Sequence, residues 1–196
     1  MGERRATISR KTRETDIQLD LNLDGTGLYE VSTGIAFFDH MLESFTKHAA
    51  FDLRLRAKGD LAVDWHHSVE DVGIALGQAI ARALGDKSGI VRYGCATVPM
   101  DEALVLTALD ISGRGSLSYG LELKKEMIGA FDCELTPEFF KAVAANAGIN
   151  VHIRQLDGGN AHHVVEAAFK SFARALREAV SKDERITGVP SIKGTL

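Results

Sequence analysis

The chain has 196 residues, enough for one large domain or two small halves around a sizeable core. Its composition is that of an ordinary globular protein, with 45% hydrophobic and 26% charged residues. A net charge of −4 gives no basic excess for binding nucleic acid, no apolar stretch reaches membrane length, and no apolar segment of a secretory signal follows the charged N-terminus. We therefore expect a cytoplasmic protein, or a plastid stromal one without its transit peptide, that binds neither nucleic acid nor a membrane.

Apolar and polar residues alternate in a pattern that predicts strands and helices in a repeated order. Ile17, Leu19 and Leu21, for example, alternate with polar residues, which is typical of a strand with one buried face. In chain order, strands are predicted at 7–12, 15–23, 28–32, 51–58, 91–98, 103–112, 116–123, 130–134 and 150–155. Helices are predicted at 35–49, 68–84, 137–147 and 161–181, with Pro137 in the first turn of the third helix.

The order of these elements indicates an internal duplication of roughly 90 residues. A glycine-rich turn and a pair of phenylalanines, Phe37-Phe38 and Phe139-Phe140, recur in both parts of the chain. We therefore predict an α+β fold, in which a sheet-plus-two-helices unit of the ferredoxin-like or split βαβ type occurs twice and the helices pack in a central layer. The whole chain, 1–196, would form a single catalytic domain with halves at about 1–90 and 91–185 and a C-terminal tail, 186–196.

Two copies of one motif, His-His-x-x-Glu, carry the chemistry. The first comprises His66, His67 and Glu70, and the second comprises His162, His163 and Glu166. On a helix the first His lies about 40° to one side of the Glu and the second about 60° to the other, so the two imidazoles diverge by about 100°. Such a pair suits two different metal ions, which makes each motif a half-site.

Imidazole and carboxylate ligands without thiolate suit Mn, Fe, Zn, Ni or Co. The two cysteines have no metal-ligand spacing. If His40 and His152 join the two motifs, each of two ions gains three imidazoles and one carboxylate, with coordination positions left open as in a catalytic site. The alternative is a pair of helix starts with solvated histidines, which the repetition of the motif disfavours.

Several residues are candidates for binding an anionic substrate. Arg92 precedes a predicted strand, Arg114 lies between two glycines in a turn, and the C-terminal tail offers Ser191 and Lys193. Together they could hold a phosphate group. Each alone is as readily a solvated side chain. Nothing in the local sequence pattern marks Glu14 as a functional residue.

These motifs closely resemble those of the imidazoleglycerol-phosphate dehydratase family. The resemblance spans almost the whole chain and rests on the stretches Arg13-Glu-Thr15, Thr33-Gly-Ile-Ala-Phe-Phe-Asp-His-Met-Leu42, Asp64-Trp-His-His-Ser-Val-Glu-Asp-Val-Gly73, Asn160-Ala-His-His-Val-Val-Glu166 with Phe169-Lys170, and Pro190-Ser-Ile-Lys-Gly194. The departures from the family pattern are Ala36, Phe38, Ser68 and Ile192, and none removes a candidate ligand.

The resemblance implies a hydro-lyase of histidine biosynthesis that converts imidazoleglycerol phosphate to imidazoleacetol phosphate. It implies Mn(II) as the cofactor, two ions per active site, and self-association into a 24-subunit shell with the metals at subunit contacts. Glu14 and His48 would be the catalytic candidates, with a metal-side glutamate as a third possibility. The substrate-binding residues would be Glu14, His40, His48, Arg92, Arg114, Lys170, Ser191 and Lys193, and the metal ligands His40, His66, His67, Glu70, His152, His162, His163 and Glu166.

Two other functional classes remain open from the sequence. A metal-storage or metal-sensing protein would have closed sites and need no phosphate-binding residues. A dinuclear metallohydrolase would release inorganic phosphate, although its bridging ligands are usually carboxylates and the two motifs supply only two.

Overall fold

The structure, a computed structural model, describes residues 4–196, and the charged residues 1–3 at the N-terminus lie outside them. It contains two four-stranded sheets, a small two-stranded hairpin and four helices. The strands are β1 Arg5–Lys11, β2 Thr15–Asn22, β3 Tyr29–Ser32, β4 Asp52–Gly59, β5 Tyr93–Met100, β6 Ala103–Asp110, β7 Ser116–Gly120, β8 Met127–Ile128, β9 Phe131–Asp132 and β10 Asn150–Asp157. The helices are α1 Ala36–Ala49, α2 His66–Leu84, α3 Leu135–Ala147 and α4 Ala161–Val180.

The two large sheets have the same topology. Their strand orders are β1-β2-β4-β3 and β5-β6-β10-β7. In each sheet the first two pairs of neighbours are antiparallel, whereas the last pair, β4 with β3 or β10 with β7, is parallel and is joined through a helix. Because the alternating apolar residues of β2 and β6 are buried, one face of each sheet turns towards the helices.

The four helices form the layer between the sheets. Helix α2 packs on β1 and β2 and against α3, while α4 packs on β5 and β6 and against α1. The repeated phenylalanines meet in this layer, where the rings of Phe38 and Phe139 lie 5.3 Å apart and Phe139 stacks on Phe169 at 5.2 Å. All three rings are fully buried, so the helix layer is the common core of both halves.

The predicted fold class, a duplicated sheet-and-helix unit with a central helical layer, is confirmed. One detail is refined, because β3 and β4 are direct neighbours, as are β7 and β10, and neither βαβ unit is split by an intervening strand. The second helix begins at His66 instead of residue 68. The predicted strand 130–134 is reduced to β9, because it pairs only with the two-residue β8. Within residues 4–196, no helix combines the length and apolar character that a membrane span requires.

Candidate active site and metal centre

Both His-His-x-x-Glu motifs lie at the start of a helix, and both helices begin in the same way. The backbone N–H of His66 donates to the Asp64 side chain at 2.8 Å, and that of His162 donates to the Asn160 side chain at 3.0 Å. A side-chain acceptor two residues before the first His thus satisfies an N–H group that a helix start leaves unpaired. This places the first imidazole of each motif in the first helical turn.

The second motif forms a compact group of possible metal ligands, which we call the α4 cluster: His40, His162 and Glu166. One ligand atom from each lies within 4.8 Å of the others. The Glu166 carboxylate is 3.3 Å from His162 Nε2 and 3.7 Å from His40 Nε2. Since His40 comes from α1, the packing of α1 on α4 brings the third ligand to the motif.

Glu166 is buried, but it stays charged because of its neighbours. Burial by itself disfavours the carboxylate, but Lys170 donates to its other oxygen at 2.7 Å, and His40 and His162 lie beside it. These interactions outweigh burial and lower the pKa of Glu166. The cluster therefore offers an ionised carboxylate and two imidazoles at one point.

The first motif forms a more open pair, which we call the α2 cluster: His66 and Glu70. His66 Nε2 is 4.0 Å from the Glu70 carboxylate, and both side chains are about half exposed. Beside His66 lies a cleft of about 450 Å³ lined by Trp65, Asp132 and Glu138, among other residues. Within residues 4–196 no third ligand joins this pair.

The second histidine of each motif turns away from the motif's glutamate, as the helical wheel predicts. His67 Nδ1 is 3.0 Å from Asp60, and His163 Nδ1 is 2.7 Å from Glu102. Glu14 lies 3.8 Å from His67 Nε2. Neither Asp60 nor Glu102 was among the sequence-predicted site residues.

His67 donates to Asp60 and His163 donates to Glu102, and these hydrogen bonds raise the pKa of both imidazoles. The bond from His163 also lowers the pKa of Glu102 to about 2. Sequence offered one signal for Glu102, since it immediately precedes β6 as Glu14 immediately precedes β2. Asp60 offered none, because an acid after a strand is an ordinary loop residue.

His48 lies near the end of α1 and close to the Lys170 side of the α4 cluster. Its partial burial lowers its pKa, and the positive charges of Lys170 and Arg174 lower it further. A neutral imidazole therefore lies next to a cationic side chain, which is a suitable state for a group that accepts a proton.

His152, in contrast, is apart from both clusters within one chain. On β10 its neighbours Val151 and Ile153 are buried, while His152 is exposed, so it lies on the outer face of the second sheet. Among residues 4–196 it joins no group of possible metal ligands. The fold therefore does not bring this sequence-predicted ligand to the others in a single chain.

The predicted phosphate-binding residues gather at the other end of α4. The Arg92 guanidinium donates to Asp110 at 2.7 and 3.2 Å and to the Pro190 carbonyl at 2.8 Å. These bonds use three of its five N–H groups and hold the C-terminal tail that carries Ser191, which is half-buried, and Lys193, which is exposed.

Arg114 lies in the turn before β7, and the chain end at Leu196 lies close to the preceding Gly113. The structure thus brings the four anion-binding candidates to one end of the second half. The backbone N–H of Arg92 donates to the carbonyl of Ala179, near the end of α4, whereas His162 is the second residue of that helix. At 1.5 Å per residue the two points are about 26 Å apart along the helix. One chain therefore does not combine its own tail with its own α4 cluster.

The duplicated fold and the clustered imidazole and carboxylate groups define a class, an α+β enzyme with a candidate metal centre. The sequence profile of one family, imidazoleglycerol-phosphate dehydratase, matches residues 33–176. The imidazoleglycerol-phosphate dehydratase of Desulforamulus reducens is 59% identical over the full length of both chains, and that of Acetivibrio thermocellus is 59% identical over 99% of this chain and 100% of its own.

Solved structures agree with the sequence comparisons. The Staphylococcus aureus imidazoleglycerol-phosphate dehydratase superposes with a TM-score of 0.84 at 40% identity, covering 91% of this chain and 99% of its own. The Pyrococcus furiosus enzyme, in complex with (S)-C348, gives 0.84 at 38% identity, covering 96% and 100%. The chain therefore belongs to the imidazoleglycerol-phosphate dehydratase family, lyases of histidine biosynthesis.

Proposed function

We propose that the chain dehydrates imidazoleglycerol phosphate to imidazoleacetol phosphate at a dinuclear Mn(II) centre that binds the imidazole ring of the substrate. The observation that carries the proposal is the α4 cluster, in which two Nε2 atoms and an ionised carboxylate converge within 4.8 Å. Three such ligands leave coordination positions for a substrate, as in catalytic and not structural metal sites.

The residues present fit a divalent ion of the first transition row. The donors are imidazole and carboxylate, without thiolate, a set that Mn(II) accepts along with Fe, Zn, Ni or Co. The α4 cluster would hold one ion and the α2 cluster would begin the site of the other. The remaining predicted ligands, His67, His152 and His163, would complete the two sites across subunit contacts.

When bound, the metal would supply Lewis acidity to the substrate ring, so that the ring can take up electrons as the carbon proton and the hydroxyl leave. The chain's own residues must then move the protons. Glu14 is the candidate base that the geometry favours, because its carboxylate is 52% exposed and, among residues 4–196, its one ion-pair partner is His67. Glu166 is disfavoured, because Lys170 holds its carboxylate and its pKa is lowered.

His48 is a second candidate for proton transfer. Its lowered pKa keeps the imidazole neutral, so it can accept a proton at neutral pH. Lys170, one turn from Glu166 on α4, would keep a positive charge beside the bound substrate. Separate substitution of Glu14 and of His48 would decide which of the two residues transfers the proton.

The separation of the tail from the α4 cluster supports a site shared between subunits. Arg92, Arg114, Ser191 and Lys193 would hold the phosphate group of a substrate whose ring lies at another subunit's metal ligands. In a closed, symmetric shell, such as the 24-subunit assembly that the family resemblance implies, every C-terminal tail would lie against a neighbouring subunit in the same way. We place this assembly in the cytoplasm, with the phosphorylated imidazole as its small-molecule partner.

Complementation between two impaired variants tests the proposal. His163→Ala removes a metal ligand, and Lys193→Ala removes a phosphate contact. Each alone should lower turnover, His163→Ala with less bound manganese and Lys193→Ala with a raised KM and normal metal content. Co-assembled at equal amounts, they should regain about a quarter of wild-type activity below KM, because random mixing restores that fraction of shared sites.

The control is a mixture of the two separately assembled variants, in which no exchange has occurred and activity should stay low. Full activity and normal metal content in His163→Ala would contradict the metal site. No recovery in verified mixed assemblies would contradict the shared site. The assay follows the keto product, since release of inorganic phosphate would instead indicate the metallohydrolase.

A further inference from the structure

The second histidine of each motif is held at the same ring atom. Asp60 contacts Nδ1 of His67 at 3.0 Å, and Glu102 contacts Nδ1 of His163 at 2.7 Å. An ionised carboxylate can only accept a hydrogen bond, so the hydrogen must lie on Nδ1 in both rings. The lone pair of each neutral imidazole is then on Nε2.

Within residues 4–196, Nε2 of each ring forms no hydrogen bond. Glu14 lies 3.8 Å from His67 Nε2 and Asp101 lies 3.6 Å from His163 Nε2, both beyond hydrogen-bond distance. Both carboxylates are more than half exposed. The His67 and His163 side chains are themselves 35% and 25% exposed, so Nε2 is the ring nitrogen left for a ligand while Nδ1 is hydrogen-bonded.

The two halves achieve this arrangement from different loops. Glu102 immediately precedes β6, and the residue at the corresponding place before β2 is Glu14. Asp60 immediately follows β4, and the residue at the corresponding place after β10 is Gly158. Inheritance from the duplicated ancestor thus does not account for both contacts, since the carboxylate at Nδ1 comes from non-equivalent positions.

We propose that Asp60 and Glu102 are positioning residues, which fix His67 and His163 with Nδ1 as the donor and Nε2 as the metal-binding atom. A carboxylate behind a ligating imidazole orients the ring and makes it a stronger ligand. The inference rests on the proposed function, because it assigns these histidines to the metal centre. Because Asp60 orients His67 in the first half, Glu14 does not have this task and can face the substrate.

The test measures manganese affinity by chelator competition, starting from the manganese-loaded assembly. Asp60→Ala and Glu102→Ala should each weaken Mn²⁺ binding about 10- to 100-fold. Glu102→Gln keeps an acceptor oxygen at the same place and should restore most of the affinity. Glu14→Ala, at the position that corresponds to Glu102, should bind manganese as the wild type does, although its turnover falls.

Glu122→Ala is the matched control, because it removes an exposed carboxylate whose side chain forms no ion pair in residues 4–196. Wild-type affinity in both Asp60→Ala and Glu102→Ala, with assembly intact by light scattering, would overturn the inference. So would equal losses in Glu102→Gln and Glu102→Ala. If Glu102→Ala does not fold, Asp60→Ala decides alone. A wild-type protein that binds no Mn²⁺ would instead overturn the proposed function.

Discussion

The ion pair between Lys170 and Glu166 gives the most direct energetic prediction. The two side chains are 16% and 8% exposed, and Lys170 Nζ lies 2.7 Å from the carboxylate. In Lys170→Met the aliphatic stem is kept and the charge is lost, so Glu166 becomes a buried carboxylate without its closest cation. Removing one partner of a buried pair typically costs about 3–5 kcal/mol.

The lower end of that range applies to the protein without metal, because His40 and His162 remain beside the carboxylate and compensate for part of the loss. About 3 kcal/mol corresponds to a Tm lower by roughly 6–12 °C for a chain of this size. In the manganese-loaded protein the bound cation would take over the role of Lys170. The loss of Tm should therefore be clearly smaller when manganese is present.

Arg174→Met is the matched control, since Arg174 lies one turn further along α4, is exposed, and has no ion-pair partner in residues 4–196. Differential scanning calorimetry of both variants, with manganese and after chelation, measures the four differences in Tm. If Lys170→Met is no less stable than Arg174→Met after chelation, the pair does not stabilise the fold. If manganese does not reduce the loss, the ion does not bind at Glu166.

Two further predictions concern packing and pH. In Gly94→Ala the new methyl carbon would lie 1.9 Å from the carbonyl oxygen of Ala175, where β5 crosses α4. We therefore expect Gly94→Ala to lower the free energy of unfolding, measured with urea, by about 3 kcal/mol or more. Gly159→Ala is the control and should change it little, because the new methyl would meet the end of a flexible lysine. Glu102→Gln should lower the Tm of the metal-free protein most between pH 4.5 and 6.5. The carboxylate charge is lost as pH falls towards the depressed pKa of Glu102, about 2, and the imidazolium charge is lost as pH rises through the raised pKa of His163, so a Tm difference independent of pH would contradict this reasoning.

The fold was largely predictable because its elements carry strong periodic signals. The alternation in β2 and the apolar face of α1 are local patterns, and the structure reproduces both elements within a few residues. The repeated Phe37-Phe38 and Phe139-Phe140 pairs marked the duplication. What periodicity could not give was the pairing order of the strands, which depends on contacts between segments far apart in sequence. The unsplit βαβ units are therefore a structural finding.

The candidate site was predictable only where spacing along one helix decides the geometry. The divergence of His162 and His163 follows from the helical pitch, and their rings lie 6.0 Å apart at 78° to each other. The contribution of His40 depends on how α1 packs against α4. Asp60 and Glu102 depend on where loops end, which no periodic pattern encodes. His152 is exposed on the outer face of its sheet, so its predicted role depends on a neighbouring subunit.

Differences between the halves indicate how a duplicated unit acquired unequal roles. The carboxylate of Asp71 accepts from Thr15 and from Arg10, and this buried network ties α2 to the hairpin that carries Glu14. The second half has Ala167 and Ala103 at the corresponding places, next to Glu166 and after Glu102, so it lacks the network. If Glu14 acts on the substrate, its hairpin must be held firmly against α2, whereas Glu102 is held by its own bond to a histidine. The buried network around Asp71 is therefore present in the half where we propose that Glu14 acts on the substrate, and absent in the half where Glu102 orients a histidine.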